Sequence, residues 1–356
     1  MGELWKSNWE ETKRHFLRWW NHEGLILNAG TIPAAKPHAE VEDPGPPPDE
    51  WYLKPDWVAR AQHYAIAQRE YVADAVPMTV INTGPGALST LLGSQPVFEP
   101  ETVWYRPCIL DPDTHPPLRF DAQQRWARVH REMYRACVEL SGGHYYVGCA
   151  DLIENFDTYC QLRGNEEALA DLIDRPARVK GRLAEINQAF FAALDDFYQV
   201  ATHPDGSSVF WPFGLWSPGK AAKVQCDASA MLSPAMFREF VVPALTRQCQ
   251  WLDHSMFHLD GSQCLVHLDA LLEIDALDAI EWTPDPKVPR GGDAYWHDLY
   301  RRILSAGKSV QVIQVQAHEV APLLDACGPK GLYIAMGDCG PGGPEEVIRT
   351  VERYRD

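Results

Sequence analysis

From about residue 233 to the C-terminus the sequence alternates short apolar runs with helical stretches across brief turns, and this rhythm restricts the fold more than any other feature. Predicted strands at 255–259, 279–282, 309–315 and 331–335 are interleaved with predicted helices at 267–272, 293–305, 319–327 and 344–355. Ser233-Pro234 opens the helix that leads into the first of these strands. The serine can accept a bond from an exposed helical N–H, and a proline in the first turn has no N–H to leave unpaired. Gly307 stops the helix at 293–305. Strands joined in this way run parallel with right-handed crossovers. Several such units within 356 residues predict an α/β fold, a single (β/α)8 TIM-type barrel rather than an open sheet. No glycine-rich dinucleotide fingerprint opens any of the helices.

The first half reads less regularly. Residues 1–20 carry six charges at positions between 3 and 14 and no apolar leader core, which predicts an amphipathic helix. Residues 33–55 are rich in proline and acid, a loop or lid. A helix over 121–140 ends at Gly142-Gly143, a strand over 144–150 leaves Asp151 at its exit, and 171–200 is helical with Pro176 in a first turn. The expected organisation is one domain over 1–356, with 1–60 as an N-terminal helix and proline-rich loop packed on it. A formal charge of -17 argues against a nucleic-acid partner. No uninterrupted apolar run reaches the length of a membrane span. Nine cysteines without a paired framework fit reduced thiols in the cytoplasm.

Side chains able to do chemistry collect at predicted strand exits. His258 and Asp260 are two apart, so on an extended strand they face the same way. They read as metal ligands, or as a base with its orienting carboxylate; alternatively Asp260 caps a helix starting near Ser262. Cys339 ends the last predicted strand, either a thiolate ligand or a small buried hydrophobe. Asp151, Asp227 and Glu281 are candidate catalytic carboxylates, Glu281 standing on an apolar strand where an acid needs a partner. Trp211, Trp216 and Trp282 could stack on a flat substrate or enclose a methylated ammonium group, or simply seal the core. Gln314 is a candidate substrate donor, with packing as its alternative, and His267 reads as structural.

Several stretches resemble the uroporphyrinogen decarboxylase superfamily: Asn82-Thr83-Gly84-Pro85-Gly86 with Leu91-Leu92-Gly93, Asp171 to Pro176, Leu232 to Phe237, His258 to Gly261, and Cys339 with Gly343-Pro344-Glu345-Glu346. The resemblance spans most of the chain in the family's order. It implies a single (β/α)8 barrel with its site at the C-terminal mouth, an acidic residue near Asp227 close to that site, Asn82 as a substrate-binding candidate, and a homodimer. The family includes tetrapyrrole decarboxylases, whose arginine-rich N-terminal segment has no counterpart in Leu25 to Gly30. It also includes zinc-dependent methyltransferases that move methyl groups between corrinoids and thiols, holding zinc with His-x-Cys and a distant cysteine. His258 and Cys339 match that set, while Asp260 stands in place of the first cysteine. A carboxylate in that place makes the ion harder and better suited to oxygen ligands.

The leading expectation is a methyltransferase-type barrel enzyme in which His258, Asp260 and Cys339 hold zinc, with a corrinoid, free or on a partner protein, as methyl carrier. The alternatives are a metal-independent decarboxylase or lyase of a small carboxylic acid, with Asp227 or Asp260 handling the proton, and a barrel that binds a small molecule without turning it over.

Overall fold

A computed structural model describes residues 3–81, 87–99 and 102–355. Its main sheet has seven strands in the order Arg69–Ala73, Leu25–Pro33, Leu332–Asp338, Ser309–Gln316, Ala279–Thr283, His254–Asp260 and Ala221–Gln225. Only the pair of Leu25–Pro33 with Arg69–Ala73 is antiparallel; every other neighbour is parallel. The five strands from Ala221–Gln225 to Leu332–Asp338 lie side by side in chain order, and the last of them returns beside Leu25–Pro33. Helices Val242–Trp251, Leu268–Leu272, His297–Ser305 and Ala317–Cys327 connect these strands, the crossover pattern expected of the sequence.

The register fixes which side chains share a face. Gln225, His258, Glu281, Gln311 and Tyr333 are aligned across five adjacent strands. Aligned residues project to the same side, and residues two apart on a strand stay on it. Ala221–Gln225 is buried throughout despite containing Lys223 and Gln225, so this face is an interior that carries polar groups.

Ser233 caps its helix as expected, its Oγ accepting from the Met236 N–H at 3.2 Å. The helix is not uniform, however: a π-turn over Phe237–Val241 precedes Val242–Trp251. Pro243 has no N–H for the ladder, and the wider turn absorbs the gap. The predicted strand at 144–150 shortens to Tyr146–Val147, paired in parallel with Met78–Thr79. Gly148 then approaches the Thr79 carbonyl so closely that an added Cβ would lie 2.5 Å from the oxygen. A parallel bridge from Cys149 to Phe210 carries the chain toward the hairpin Ser208–Phe210/Leu215–Ser217.

The N-terminal helix, Trp9–Trp20, buries Thr12, Phe16, Trp19 and Trp20. Trp19 Nε1 donates to the Gly331 carbonyl at 3.0 Å, and Ser309 Oγ donates to the Trp19 carbonyl at 2.6 Å. Both contacts are made at the N-terminal ends of sheet strands. The helix therefore covers the end opposite the strand exits, and the site is left to the C-terminal ends. Among the described residues no helix is long and apolar enough to cross a membrane.

Candidate active site

His258 is held by the strand beside it. Its Nδ1–H donates to Glu281 Oε2 at 2.5 Å, a contact that follows from the register pairing the two residues. Glu281 is fully buried, and its other oxygen accepts from Thr283 Oγ1 at 2.7 Å. Burial disfavours the imidazolium, yet the hydrogen bond and charge of Glu281 outweigh it and raise the His258 pKa above its ordinary value. With Nδ1 engaged, Nε2 is the nitrogen left for a ligand. Phe213 packs on the imidazole with ring centroids 5.1 Å apart.

Asp227 follows the end of the Ala221–Gln225 strand and opens a short 3-10 turn, Asp227–Met231. Beneath it lies a buried polar network. Asp157 accepts from the backbone N–H groups of Asp227 and Ala228 at 2.8 and 2.7 Å, and from Gln225 Nε2 at 3.0 Å. Gln225 Nε2 also donates to Asp227 Oδ2 at 2.7 Å. Asp227 reaches solvent, but its carboxyl stands among buried acids. Burial and then the charge of Asp157 push its pKa up to about 7, with Asp260 adding to the shift and His258 and Lys223 opposing it. Two carboxylates placed so closely do not ionise independently.

Lys223 supplies the buried cation of this network. Its ammonium donates to Asp151 Oδ2 at 2.8 Å and to Gln225 Oε1. Burial would lower its pKa, but the charges of Asp151 and Glu154 more than offset that and raise it. Glu154 is buried and accepts the Gln225 backbone N–H at 2.6 Å, and burial holds its carboxyl well above the usual range. The turn that delivers Asp151, Glu154 and Asp157 contains two residues in the left-handed region, Ile153 at φ 44° and Asn155 at φ 58°. A β-branched residue there is strained. The Asn155 amide secures the turn through the Gln225 carbonyl at 3.0 Å and Gln248 Oε1 at 3.1 Å.

Among the described residues, Asp227, His258 and Asp260 each offer a ligand atom within 4.8 Å of the others. Cys339 is not one of the three; its thiol points to the Ala29 carbonyl at 3.9 Å, and it packs against the hydrophobic core. Asp260 does not cap the turn after it. Asp285 does so, accepting the Ser262 N–H at 2.8 Å. Asp151 is engaged by Lys223. Trp282 is fully buried against Trp296, and Trp216 is buried against Trp9 and Phe16. Trp211 is half-buried beside Gly148. Gln314 is exposed with φ 58°, its carbonyl accepting from Gln316 Nε2 at 3.2 Å. Asn82 lies outside the described residues. His267 is structural, bonded to the Ser229 carbonyl at 2.9 Å and stacked on Phe237.

Four residues central to the network were not singled out from sequence: Glu154, Asp157, Lys223 and Gln225. The acids at 151, 154 and 157 form a recurring signal after a predicted strand, but the helix Asn155–Arg163 is buried on nearly every side and shows no apolar stripe to orient them. Gln225 sits two residues after Lys223 on the same strand face, a polar alternation that only the register reveals as interior.

No protein-family model and no curated protein matches the sequence. Among solved structures, a methyltransferase from Methanosarcina mazei superposes with a TM-score of 0.63 at 11% identity, over 97% of this chain and 98% of that one. A B12-independent methionine synthase from Shewanella sp. W3-18-1, in complex with selenomethionine, superposes more loosely, with a TM-score of 0.49 at 11% identity over 92% and 97% of the two chains. The first superposition establishes a shared α/β fold.

Proposed function

We propose that this chain is a methyl-transferring enzyme of the uroporphyrinogen decarboxylase-like fold, with Asp227, His258 and Asp260 holding a divalent metal, zinc first among candidates, at the mouth of a closed barrel. The observation that carries the reading is the approach of those three ligand atoms to within 4.8 Å, with His258 Nδ1 held by buried Glu281. A metal-binding imidazole commonly donates its second N–H to a carboxylate, which fixes ring orientation and tautomer. Two carboxylates and an imidazole form a donor set that zinc accepts. The fold shared with a methyltransferase supports the same reading. So does the chain order of the strands, in which the last returns beside the first; in the proposed barrel the short Met78–Thr79 and Tyr146–Val147 strands fill the remaining arc.

A divalent ion in this site would act as a Lewis acid, polarising an oxygen ligand or lowering the pKa of a bound thiol. Glu281 holds the His258 ring, Gln225 holds one oxygen of Asp227, and Phe213 shields the imidazole from water on one side. The substrate is a small molecule entering at the strand exits, with a corrinoid carrier as a candidate methyl source. Elemental analysis of protein purified without added ions or chelators tests the assignment. It predicts one metal per chain, lost in His258→Ala; metal-free protein that retains full methyl transfer contradicts it.

A second reading has its own observation. A carboxyl raised to about 7, as at Asp227, suits a group that gives or takes a proton near neutral pH. A metal-independent decarboxylase would use Asp227 to protonate the carbanion left after loss of carbon dioxide. Carbon dioxide release from small acids that persists in chelator and fails in Asp227→Asn would favour that reading over the metal-dependent one.

A further inference from the structure

The interior of the sheet contains a cation that the proposed metal site does not use directly. Lys223 is buried, with its side chain only 2% exposed, and it lies on the strand Ala221–Gln225, four residues before Asp227. The residue between them is Gln225, also buried, and its amide is bound at both ends. Its Oε1 accepts from the Lys223 ammonium, while its Nε2 donates to Asp157 and to Asp227 Oδ2. An ammonium can only donate, so the amide oxygen must face Lys223, and the NH2 is left to face the two carboxyl groups. If the amide turned over, its NH2 would face the ammonium and its oxygen would face two carboxylates.

We propose that Lys223 is a positioning residue, which locks the Gln225 amide and thereby aims Asp227 at the site shared with His258 and Asp260. The pair acts as a lever. Lys223 is itself anchored by Asp151 at 2.8 Å, so the turn that delivers Asp151 is mechanically tied to the orientation of Asp227. With Oδ2 occupied by Gln225, Oδ1 is the oxygen left to face a ligand, and no described residue donates to it. This gives a role to a buried ion pair that could be replaced by apolar side chains if stability were its only contribution. The inference rests on the metal-site reading for its consequence, but the geometry of Asp227 can be observed without any metal.

The sign of the effect separates positioning from simple charge. Lys223 both repels a nearby metal ion and favours the ionised form of Asp227, so the comparison is made at a pH where Asp227 is ionised in every variant. There, deleting Lys223 on charge grounds alone would tighten metal binding. Positioning predicts the reverse. The test is a double-mutant cycle of Lys223→Met and Gln225→Met, reading Zn2+ affinity by calorimetry together with crystal structures of the metal-free variants. Each single variant is expected to weaken Zn2+ binding by about tenfold or more, the scale of lost outer-shell partners. The double variant is expected to bind no worse than Gln225→Met alone, because Lys223 acts through Gln225. The metal-free Lys223→Met structure is expected to show the Gln225 amide released and the Asp227 carboxylate turned.

Tighter or unchanged Zn2+ binding in Lys223→Met, additive losses in the double variant, or an unmoved Asp227 would overturn the inference. If the wild type binds no Zn2+, the metal reading fails, and the Asp227 orientation in the metal-free structure still decides this proposal. Should the stranded Asp151 unfold Lys223→Met, Lys223→Met/Asp151→Asn removes both charges and is read in the same two ways.

Discussion

Removal of the Glu281 carboxylate is the perturbation whose size the structure constrains best. Glu281 accepts from His258 Nδ1 at 2.5 Å with one oxygen and from Thr283 Oγ1 at 2.7 Å with the other, and it is fully buried. In Glu281→Gln the amide oxygen can still accept from His258, and the NH2 can turn to Thr283, whose hydroxyl also accepts. The ring stays oriented but loses the facing charge. In Glu281→Leu nothing accepts from Nδ1, and a buried N–H is left without a partner. Loss of an outer-shell partner of a metal-bound histidine typically costs ten- to hundredfold in affinity, about 1.4–2.7 kcal/mol. Gln is expected near the tenfold end and Leu near the hundredfold end. Competition of each variant with a chromophoric chelator for Zn2+ at fixed pH measures both constants. Leu binding as tightly as wild type, or Gln losing more than Leu, would refute the role given to Glu281.

The remaining predictions concern protons and packing. Because the Asp227 carboxyl is pushed up to about 7 and the His258 pKa is raised, and both bind metal only when deprotonated, metal binding should release more protons at pH 6 than at pH 8, measured by calorimetry in buffers of different ionisation enthalpy; equal release at both would contradict it. Burial favours the neutral form of Asp74, but the hydrogen bond of His15 and the charge of Arg355 hold its pKa below the ordinary value. Stability from Asp74 is therefore complete above the unfolded-state pKa and is lost as pH falls through the folded one. Denaturant titrations should show Asp74→Asn less stable than wild type near neutrality, by about 3–5 kcal/mol, with a smaller further loss toward acid. Trp282→Ala, deep in the core, should destabilise by about 3–5 kcal/mol in the same assay, and little change would place the indole outside the core.

The later strands were legible because each is an apolar run bounded by turn residues and followed by a helix, a pattern set by local chemistry. The earlier ones were less so: the strand expected over 144–150 is only Tyr146–Val147, and Met78–Thr79, with two residues, is too short for any periodicity. At the site, His258 and Asp260 stood out because a two-residue spacing at a strand exit puts them on one face, and Glu281 because an acid on an apolar strand needs a partner. Asp227 was visible as a carboxylate before a capped helix, but its approach to His258 depends on strand order, which one sequence does not state. Cys339 stood out by its place at the end of the last predicted strand, with the family resemblance added to that, whereas the structure sets its thiol toward the Ala29 carbonyl. Lys223 and Gln225 look like the solvated face of an ordinary strand until the register turns that face inward.

Anomalous diffraction from crystals grown with Zn2+ tests the account most directly. The predicted result is a single strong zinc peak coordinated by Asp227, His258 Nε2 and Asp260, with His258 Nδ1 still on Glu281. A peak held by Cys339 without Asp227, or no peak among these three side chains at saturating metal, would contradict it.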